Sequence, residues 1–155
     1  MRIRPGIRSL YAAIAILAAA TVGGAHVLKS EAASSTIYGR AYVLDADTVR
    51  INGTTIRLKG VDAAEMNTAR GEAARRTMVA IVGNSPLTCI LTGEKTRKRE
   101  VGFCTTADGV DINQEIISRG AALACARYST RYVSFERKEA LAAQPRSSYC
   151  LRGAR

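Results

Sequence analysis

The 155-residue sequence has no tryptophan, two phenylalanines and a single histidine. With so few large aromatic residues, a core must be built mainly from Val, Ile, Leu and Ala. Repeats and low-complexity tracts are also absent, and the composition is unlike that of a disordered or collagen-like chain. The sequence therefore predicts one globular domain of modest size.

The N-terminal segment has the features of an export signal. Three arginines precede an apolar run over residues 10–20, and the run ends in small residues at 18–20. Residues 10–28 are also about long enough for an uncleaved membrane anchor. We assign 1–28 as a signal peptide or signal anchor, 29–35 as a linker and 36–151 as the functional domain. The only histidine, His26, falls in the first of these, so we expect the domain to work without histidine.

The basic charge favours a polyanionic partner. The chain carries 23 Lys and Arg against 13 Asp and Glu, and removing the three arginines of the signal leaves 20 basic residues. Nucleic acid, anionic lipid and phosphorylated substrates all match this excess, and charge alone does not choose among them.

Four cysteines lie in the exported part of the chain, where an even count predicts two disulfides. Three pairings are possible. Cys89 and Cys104 fall in successive predicted strands, so we prefer a Cys89–Cys104 bond together with a Cys125–Cys150 bond that ties down the C-terminal segment. A four-cysteine zinc site is the alternative, but no CxxC pair is present. The protein is thus expected in the periplasm or outside the cell, or attached to the inner membrane by an uncleaved N-terminal segment.

Hydrophobic periodicity predicts a small barrel with helices. Strands are predicted at residues 37–44, 48–51, 54–59, 87–92 and 101–106, with Asn52-Gly53 forming a hairpin turn. One helix is expected to begin at Gly71 as N-cap, a second at Asp111, and a third over residues 134–143. This order predicts an α+β, mainly β fold: a five-stranded OB-fold barrel with three helices. The pattern alone also fits other small α+β folds.

Acidic residues occur at the ends of neighbouring predicted strands. Asp45 and Asp47 flank the first turn, and Asp62 and Glu65 follow the third strand. A meander brings these positions to one rim, where carboxylate oxygens would suit a hard divalent cation. Each Asp alone is more simply explained as a turn residue that caps backbone N–H groups.

Arginines accompany these acids. Arg57 lies on the strand face opposite the apolar residues, and Arg97, Lys98 and Arg99 form a basic loop. A solvated loop is the simpler interpretation of such a cluster. A cation flanked by guanidinium groups would, however, suit phosphodiester cleavage, because both neutralise the charge on phosphate oxygens.

Three segments resemble the staphylococcal nuclease (thermonuclease) family. They read VLDADTVRI at 43–51, IRLKGVDAAE at 56–65 and DGVDINQEIISRG at 108–120. The resemblance covers nearly all of the exported chain. It implies an OB-fold, calcium-dependent endonuclease, expected as a monomer, that cleaves DNA and/or RNA and leaves 3′-phosphate ends.

The resemblance also implies a role for each metal-site residue. Asp47 and Asp62 would be calcium ligands, together with the backbone carbonyl of Ala63. Asp45 would orient the metal ligands without itself binding calcium. Ala63 replaces the usual threonine, a change that leaves a carbonyl ligand intact.

For the phosphate, the resemblance implies that Arg57 and Arg99 bind its oxygens and that Glu65 holds or activates the attacking water. Arg99 would also stabilise the departing oxygen. The loop departs from the family pattern, so Arg97 stays open as the second arginine. Arg97 and Ala126 stand where the family has tyrosines, which predicts weaker base stacking.

One further departure is Ala64, where the family has proline, so the path of the following residues is left open. The alternative function is a catalytically inactive OB-fold module that binds nucleic acid or protein. Retention of the acids and Arg57 together favours the nuclease.

Overall fold

The computed structural model describes residues 35–151, so the predicted export segment and most of the linker lie outside the described residues. The elements are β1 (Thr36–Asp45), β2 (Thr48–Ile51), β3 (Thr54–Leu58), β4 (Val61–Asp62), α1 (Ala69–Val82), β5 (Pro86–Thr96), β6 (Arg99–Thr106), α2 (Ile112–Ser118), β7 (Leu123–Ala124), a 3-10 turn (Val133–Phe135), α3 (Lys138–Ala143) and α4 (Ser148–Leu151).

Five strands close into a barrel in the order β1-β2-β3-β6-β5. Neighbouring strands are antiparallel except β3 and β6, which pair in parallel. The short strands β4 and β7 form a separate two-stranded sheet. The prediction of a mainly β, OB-like barrel with added helices is therefore confirmed.

The Asn52-Gly53 turn fixes the register of the first hairpin. Both residues have positive φ, 49° and 81°, and Ile51 pairs directly with Thr54. These are the dihedrals that a two-residue turn needs to match strand twist. The hairpin predicted from this dipeptide is confirmed, and it sets Arg57 opposite Thr48 on β2.

The barrel interior is aliphatic, as the composition predicts. Its fully buried side chains alternate along the strands and include Val49, Ile51, Ile56, Leu58 and Leu87. Each contributes about 1.5–3 kcal/mol through removal of apolar surface from water. A buried aromatic side chain, that of Tyr132, donates its hydroxyl hydrogen to the Asp111 carboxylate at 3.0 Å.

The first helix begins three residues earlier than predicted. Thr68 is the N-cap, and its hydroxyl accepts a hydrogen bond from Gly71 N–H at 3.0 Å. The expectation that Gly71 caps the helix was therefore wrong. Gly71 is buried against the backbone of Glu65, since the helix packs directly on the segment after β4. A Cβ at this position would lie 2.0 Å from the Glu65 carbonyl oxygen, so only glycine fits.

The other two predicted helices had different outcomes. Asp111 caps α2 as expected, accepting from Asn113 N–H and Gln114 N–H. The helix predicted at 134–143 is interrupted: a 3-10 turn ends at Phe135 and α3 begins at Lys138. Between them the Glu136 carboxylate accepts from Ala124 N–H at 2.8 Å, a tertiary contact that breaks the helix.

Two disulfides have the predicted connectivity. Cys89 is bonded to Cys104 across the β5–β6 pair, and Cys125 is bonded to Cys150. Disulfides of this kind persist in oxidising compartments, which indicates an extracellular or periplasmic environment. Within residues 35–151, no helix is long and apolar enough to cross a membrane.

Candidate functional site

A cleft of about 620 Å³ opens at the barrel rim, between the β1–β2 turn, the segment after β4 and the β5–β6 hairpin. Six of the seven residues that the sequence singles out for catalysis or metal binding line it: Asp45, Asp47, Arg57, Ala63, Glu65 and Arg99. Arg97 lines it as well. The seventh predicted residue, Asp62, does not.

The β1–β2 turn holds Asp47 in place through local bonds. Its N–H donates to the Asp45 carboxylate at 3.0 Å, and its carbonyl accepts from Leu58 N–H at 2.8 Å. Thr48 donates its hydroxyl hydrogen to the Asp47 carboxylate at 3.0 Å. Since Thr48 is opposite Arg57 on β3, the sheet register brings the Asp47 carboxylate and the Arg57 guanidinium together.

Asp47 and Arg57 form a largely buried ion pair. Burial raises the pKa of Asp47 to about 7, while the charge of Arg57 limits that rise. Burial lowers the pKa of Arg57, but the combined effects of Asp47, Tyr149 and Asp45 outweigh burial, and the net pKa is raised. Arg57 therefore remains a cation, and it also donates to the Val61 carbonyl at 3.1 Å.

Asp62 faces the C-terminal segment instead of the cleft. Its carboxylate is fully buried and accepts from Ser147 N–H at 2.9 Å, Ser147 Oγ–H at 2.6 Å and the Tyr149 hydroxyl at 3.2 Å. Arg57 donates to the same Tyr149 hydroxyl at 3.4 Å. Asp47 and Asp62 are thus linked through Arg57 and Tyr149.

The ligand set suits calcium in its chemistry, because calcium prefers oxygen ligands from carboxylates and carbonyls. Asp47, Asp62 and the Ala63 carbonyl supply such oxygens. Yet each carboxylate is already bonded to protein donors, and within residues 35–151 no three His, Cys, Asp or Glu side chains group as a metal site. Binding of calcium by Asp62 would require Ser147 or Tyr149 to give up its bond.

Glu65 has a fixed backbone and an exposed side chain. Its carbonyl accepts from both Thr68 N–H at 3.1 Å and the Thr68 hydroxyl at 2.7 Å, and Gly71 packs against it. The carboxylate is exposed at the cleft wall. A carboxylate in this position is accessible to water and can accept a proton.

The two candidate arginines of the β5–β6 hairpin differ in what they contact. Arg99 is half-buried and donates to the Thr48 hydroxyl at 3.2 Å, which connects it to Asp47. Arg97 is exposed at the hairpin tip with φ of 57°. The contact with Thr48 favours Arg99 as the arginine that belongs with Arg57.

Two tyrosines that the sequence analysis missed complete the cleft. Tyr128 and Tyr149 both line it, with ring centroids 6.4 Å apart and planes inclined at 46°. The expectation of weaker base stacking was based on Arg97 and Ala126 alone, and the structure places other aromatic rings at the site. The predicted Cys125–Cys150 bond was the available signal, because it draws the segments that carry both tyrosines together.

Comparison with known proteins gives a similarity over part of the chain. No family model matches the chain. The chain is 33% identical over 102 residues to the succinoglycan biosynthesis protein ExoI of Rhizobium meliloti, a match that covers 59% of this chain and 53% of that protein. The chain therefore spans about half the length of this relative.

Proposed function

We propose that the protein is an exported, calcium-dependent endonuclease that hydrolyses phosphodiester bonds of DNA and/or RNA and leaves 3′-phosphate ends. The observation that carries the proposal is the cleft itself. Two arginines and an exposed carboxylate surround it, and Arg57 is oriented by the buried carboxylate of Asp47. Family resemblance in three sequence segments supports the same conclusion.

The arginines act on the phosphate. Arg57 and Arg99 can donate to its nonbridging oxygens, and guanidinium donors in a partly buried cleft stabilise the extra charge of the transition state. The exposed Glu65 carboxylate takes a proton from the attacking water. As the new P–O bond forms, the P–O5′ bond breaks, and the departing oxygen, stabilised by Arg99, takes a proton from solvent.

Asp47, Asp62 and the Ala63 carbonyl would hold calcium, with Asp45 fixing the turn behind Asp47 through its bond to Asp47 N–H. When bound, calcium would supply Lewis-acid polarisation of a phosphate oxygen. Ser147 or Tyr149 must release Asp62 for this to happen. We propose that the protein acts as a monomer in the periplasm or outside the cell, or attached to the inner membrane through its N-terminal segment.

A second function is favoured by one observation, the engagement of the Asp62 carboxylate by three protein donors. If that engagement is permanent, the barrel would bind nucleic acid or protein without cleaving it. The two functions differ in whether chelator-sensitive hydrolysis occurs.

The test is cleavage of plasmid DNA and of a single-stranded RNA by the full chain, with calcium or with chelator. We expect cleavage only with calcium, and products that a polymerase extends only after phosphatase treatment. Glu65→Gln should lower the rate by about 10²- to 10⁴-fold, the usual contribution of a general base. Glu139→Gln is the matched control, since its side chain is 81% exposed on α3.

Two outcomes would count against the assignment. A normal rate for Glu65→Gln would remove the proposed role of Glu65. If the protein binds nucleic acid but hydrolyses none at every calcium concentration tested, the second function is favoured.

A further inference from the structure

One face of the barrel exposes aromatic and basic side chains in alternation. Tyr38 and Tyr42 on β1 are 63% and 61% exposed, and the exposed Arg40 lies between them. Side chains two residues apart on a strand point to the same side, about 6.8 Å apart. These three residues therefore form a row on the outer surface of β1.

The neighbouring strand extends the row towards the cleft. Tyr42 pairs with Arg50 of β2, which is also exposed. Arg50 shares its face of β2 with Thr48, because the two are two residues apart, and Thr48 is opposite Arg57. We call Tyr38, Arg40, Tyr42 and Arg50 the outer β1–β2 face; it is continuous, across β2, with the side of the sheet that carries Arg57.

The charge of this surface has one sign. Residues 36–44 and 48–61 contain no Asp or Glu, although they carry three arginines and a lysine. On the other side of β1, the paired part of β5 is also free of acidic residues, since none occurs between Glu72 and Glu94. Arg57 is paired with Asp47, but within residues 35–151 no carboxylate forms an ion pair with Arg40 or Arg50, so the exposed surface complements a chain of phosphates.

We propose that the outer β1–β2 face binds single-stranded nucleic acid and continues the path of a substrate strand that occupies the cleft. The proposal rests on the proposed function for the identity of the polymer. Exposed tyrosine rings can stack on unpaired bases, which a duplex does not offer, while Arg40 and Arg50 contact the phosphates between them. Alternation of rings and guanidiniums along one strand fits this mode of binding.

The test is binding of a fluorescein-labelled 20-nucleotide oligo(dT) by fluorescence anisotropy, in chelator and with Glu65→Gln to prevent cleavage. Stacking contributes about 1–3 kcal/mol per base, so Tyr42→Ala should raise Kd by about 5- to 150-fold. Tyr42→Phe should bind with the affinity of the parent protein because it keeps the aromatic ring. Phe135→Ala, which removes an exposed aromatic outside this face, should leave Kd unchanged.

The arginines are tested by salt dependence. Loss of two phosphate contacts in Arg40→Gln/Arg50→Gln should reduce the slope of log K against log salt by about 1.4, since each contact on a single strand contributes about 0.7. The tyrosine variants should lower affinity without changing that slope. A duplex of the same length should lose no affinity in the tyrosine variants.

Three results would overturn the proposal. Unchanged Kd in Tyr38→Ala/Tyr42→Ala would leave the face as a surface for protein contacts. Equal losses for Tyr42→Phe and Tyr42→Ala would exclude stacking. Equal losses of affinity for duplex and single strand in the tyrosine variants would mean that the face binds nucleic acid by charge alone and does not select single strands.

Failure of the proposed function gives a different pattern. If the chain binds oligo(dT) through this face but cleaves no nucleic acid, the nuclease assignment fails and the proposed binding role of the face is supported. If Tyr38→Ala/Tyr42→Ala changes calcium-dependent cleavage of neither 20-mers nor dinucleotides, the nuclease assignment stands and the proposed binding role of the outer β1–β2 face is refuted. We expect the variant to raise KM for the 20-mer only.

Discussion

Removal of the Ser147 hydroxyl tests how firmly the C-terminal segment holds Asp62. Ser147 Oγ–H donates to the Asp62 carboxylate at 2.6 Å, and the carboxylate is fully buried. In Ser147→Ala the Ser147 N–H and the Tyr149 hydroxyl still donate to Asp62. The substitution therefore deletes one of three bonds and leaves the rest of the segment in place.

The expected cost follows from the charge of the acceptor. A hydrogen bond to an ionised group contributes about 1.5–3 kcal/mol to stability. The free energy of unfolding should fall by about that amount in Ser147→Ala. For a domain of this size the change corresponds to a fall in Tm of about 5–15 °C.

Urea unfolding of the calcium-free protein measures this change. Ser148→Ala is the matched control, since Ser148 is the exposed next residue and the first of α4. The double variant Ser147→Ala/Asp62→Asn should lose much less than the sum of the two single losses. If Ser147→Ala stays within about 0.5 kcal/mol of the control, the usual range for surface substitutions, the reasoning is refuted.

Calorimetric titration with calcium adds a second readout. Because Ser147 competes with calcium for Asp62 under the proposed function, Ser147→Ala should bind calcium more tightly, by about 10-fold for each 1.4 kcal/mol released. Weaker calcium binding in Ser147→Ala would mean that Ser147 orients the Asp62 carboxylate for calcium and does not compete with calcium for it.

Two further predictions concern the frame around the cleft. Gly71→Ala should destabilise the protein by about 1–3 kcal/mol in thermal unfolding, because the new Cβ meets the Glu65 carbonyl and the helix must shift; an unchanged Tm would show that α1 is not packed there as described. Cys125→Ala/Cys150→Ala removes a bond across 25 residues and should cost about 3–4 kcal/mol of unfolding free energy. Equal urea midpoints for this variant and the oxidised parent would refute the second prediction.

The barrel was predictable because its signals are local. Alternating apolar residues mark the strands, and the Asn52-Gly53 dipeptide specifies its own turn. The end of β5 and the start of β6 were not predicted, because the hairpin beyond Leu91 is polar and lacks a buried face. The helix expected at 134–143 was interrupted by a distant partner, since Glu136 is bonded to Ala124.

The site was predictable only where its residues follow strand ends. The pairing of Asp47 with Arg57 follows from the hairpin register, which the sequence specifies. The burial of Asp62 does not, because its partners Ser147 and Tyr149 come 85 and 87 positions later. No local pattern encodes such a contact, and only the pairing of Cys125 with Cys150 hinted at it.

The same long separation makes one wall of the cleft depend on a disulfide. The barrel strands lie between residues 36 and 106, whereas the cleft wall that contains Tyr149 comes from the end of the described chain. That wall is covalently fixed only when the thiols at 125 and 150 have been oxidised, a reaction that an oxidising compartment supports. Under reducing conditions the Cys125–Cys150 bond would be absent, so the wall that contains Tyr149 would lose its covalent attachment to the rest of the domain while the noncovalent contacts of Asp62 with Ser147 and Tyr149 would have to hold it alone.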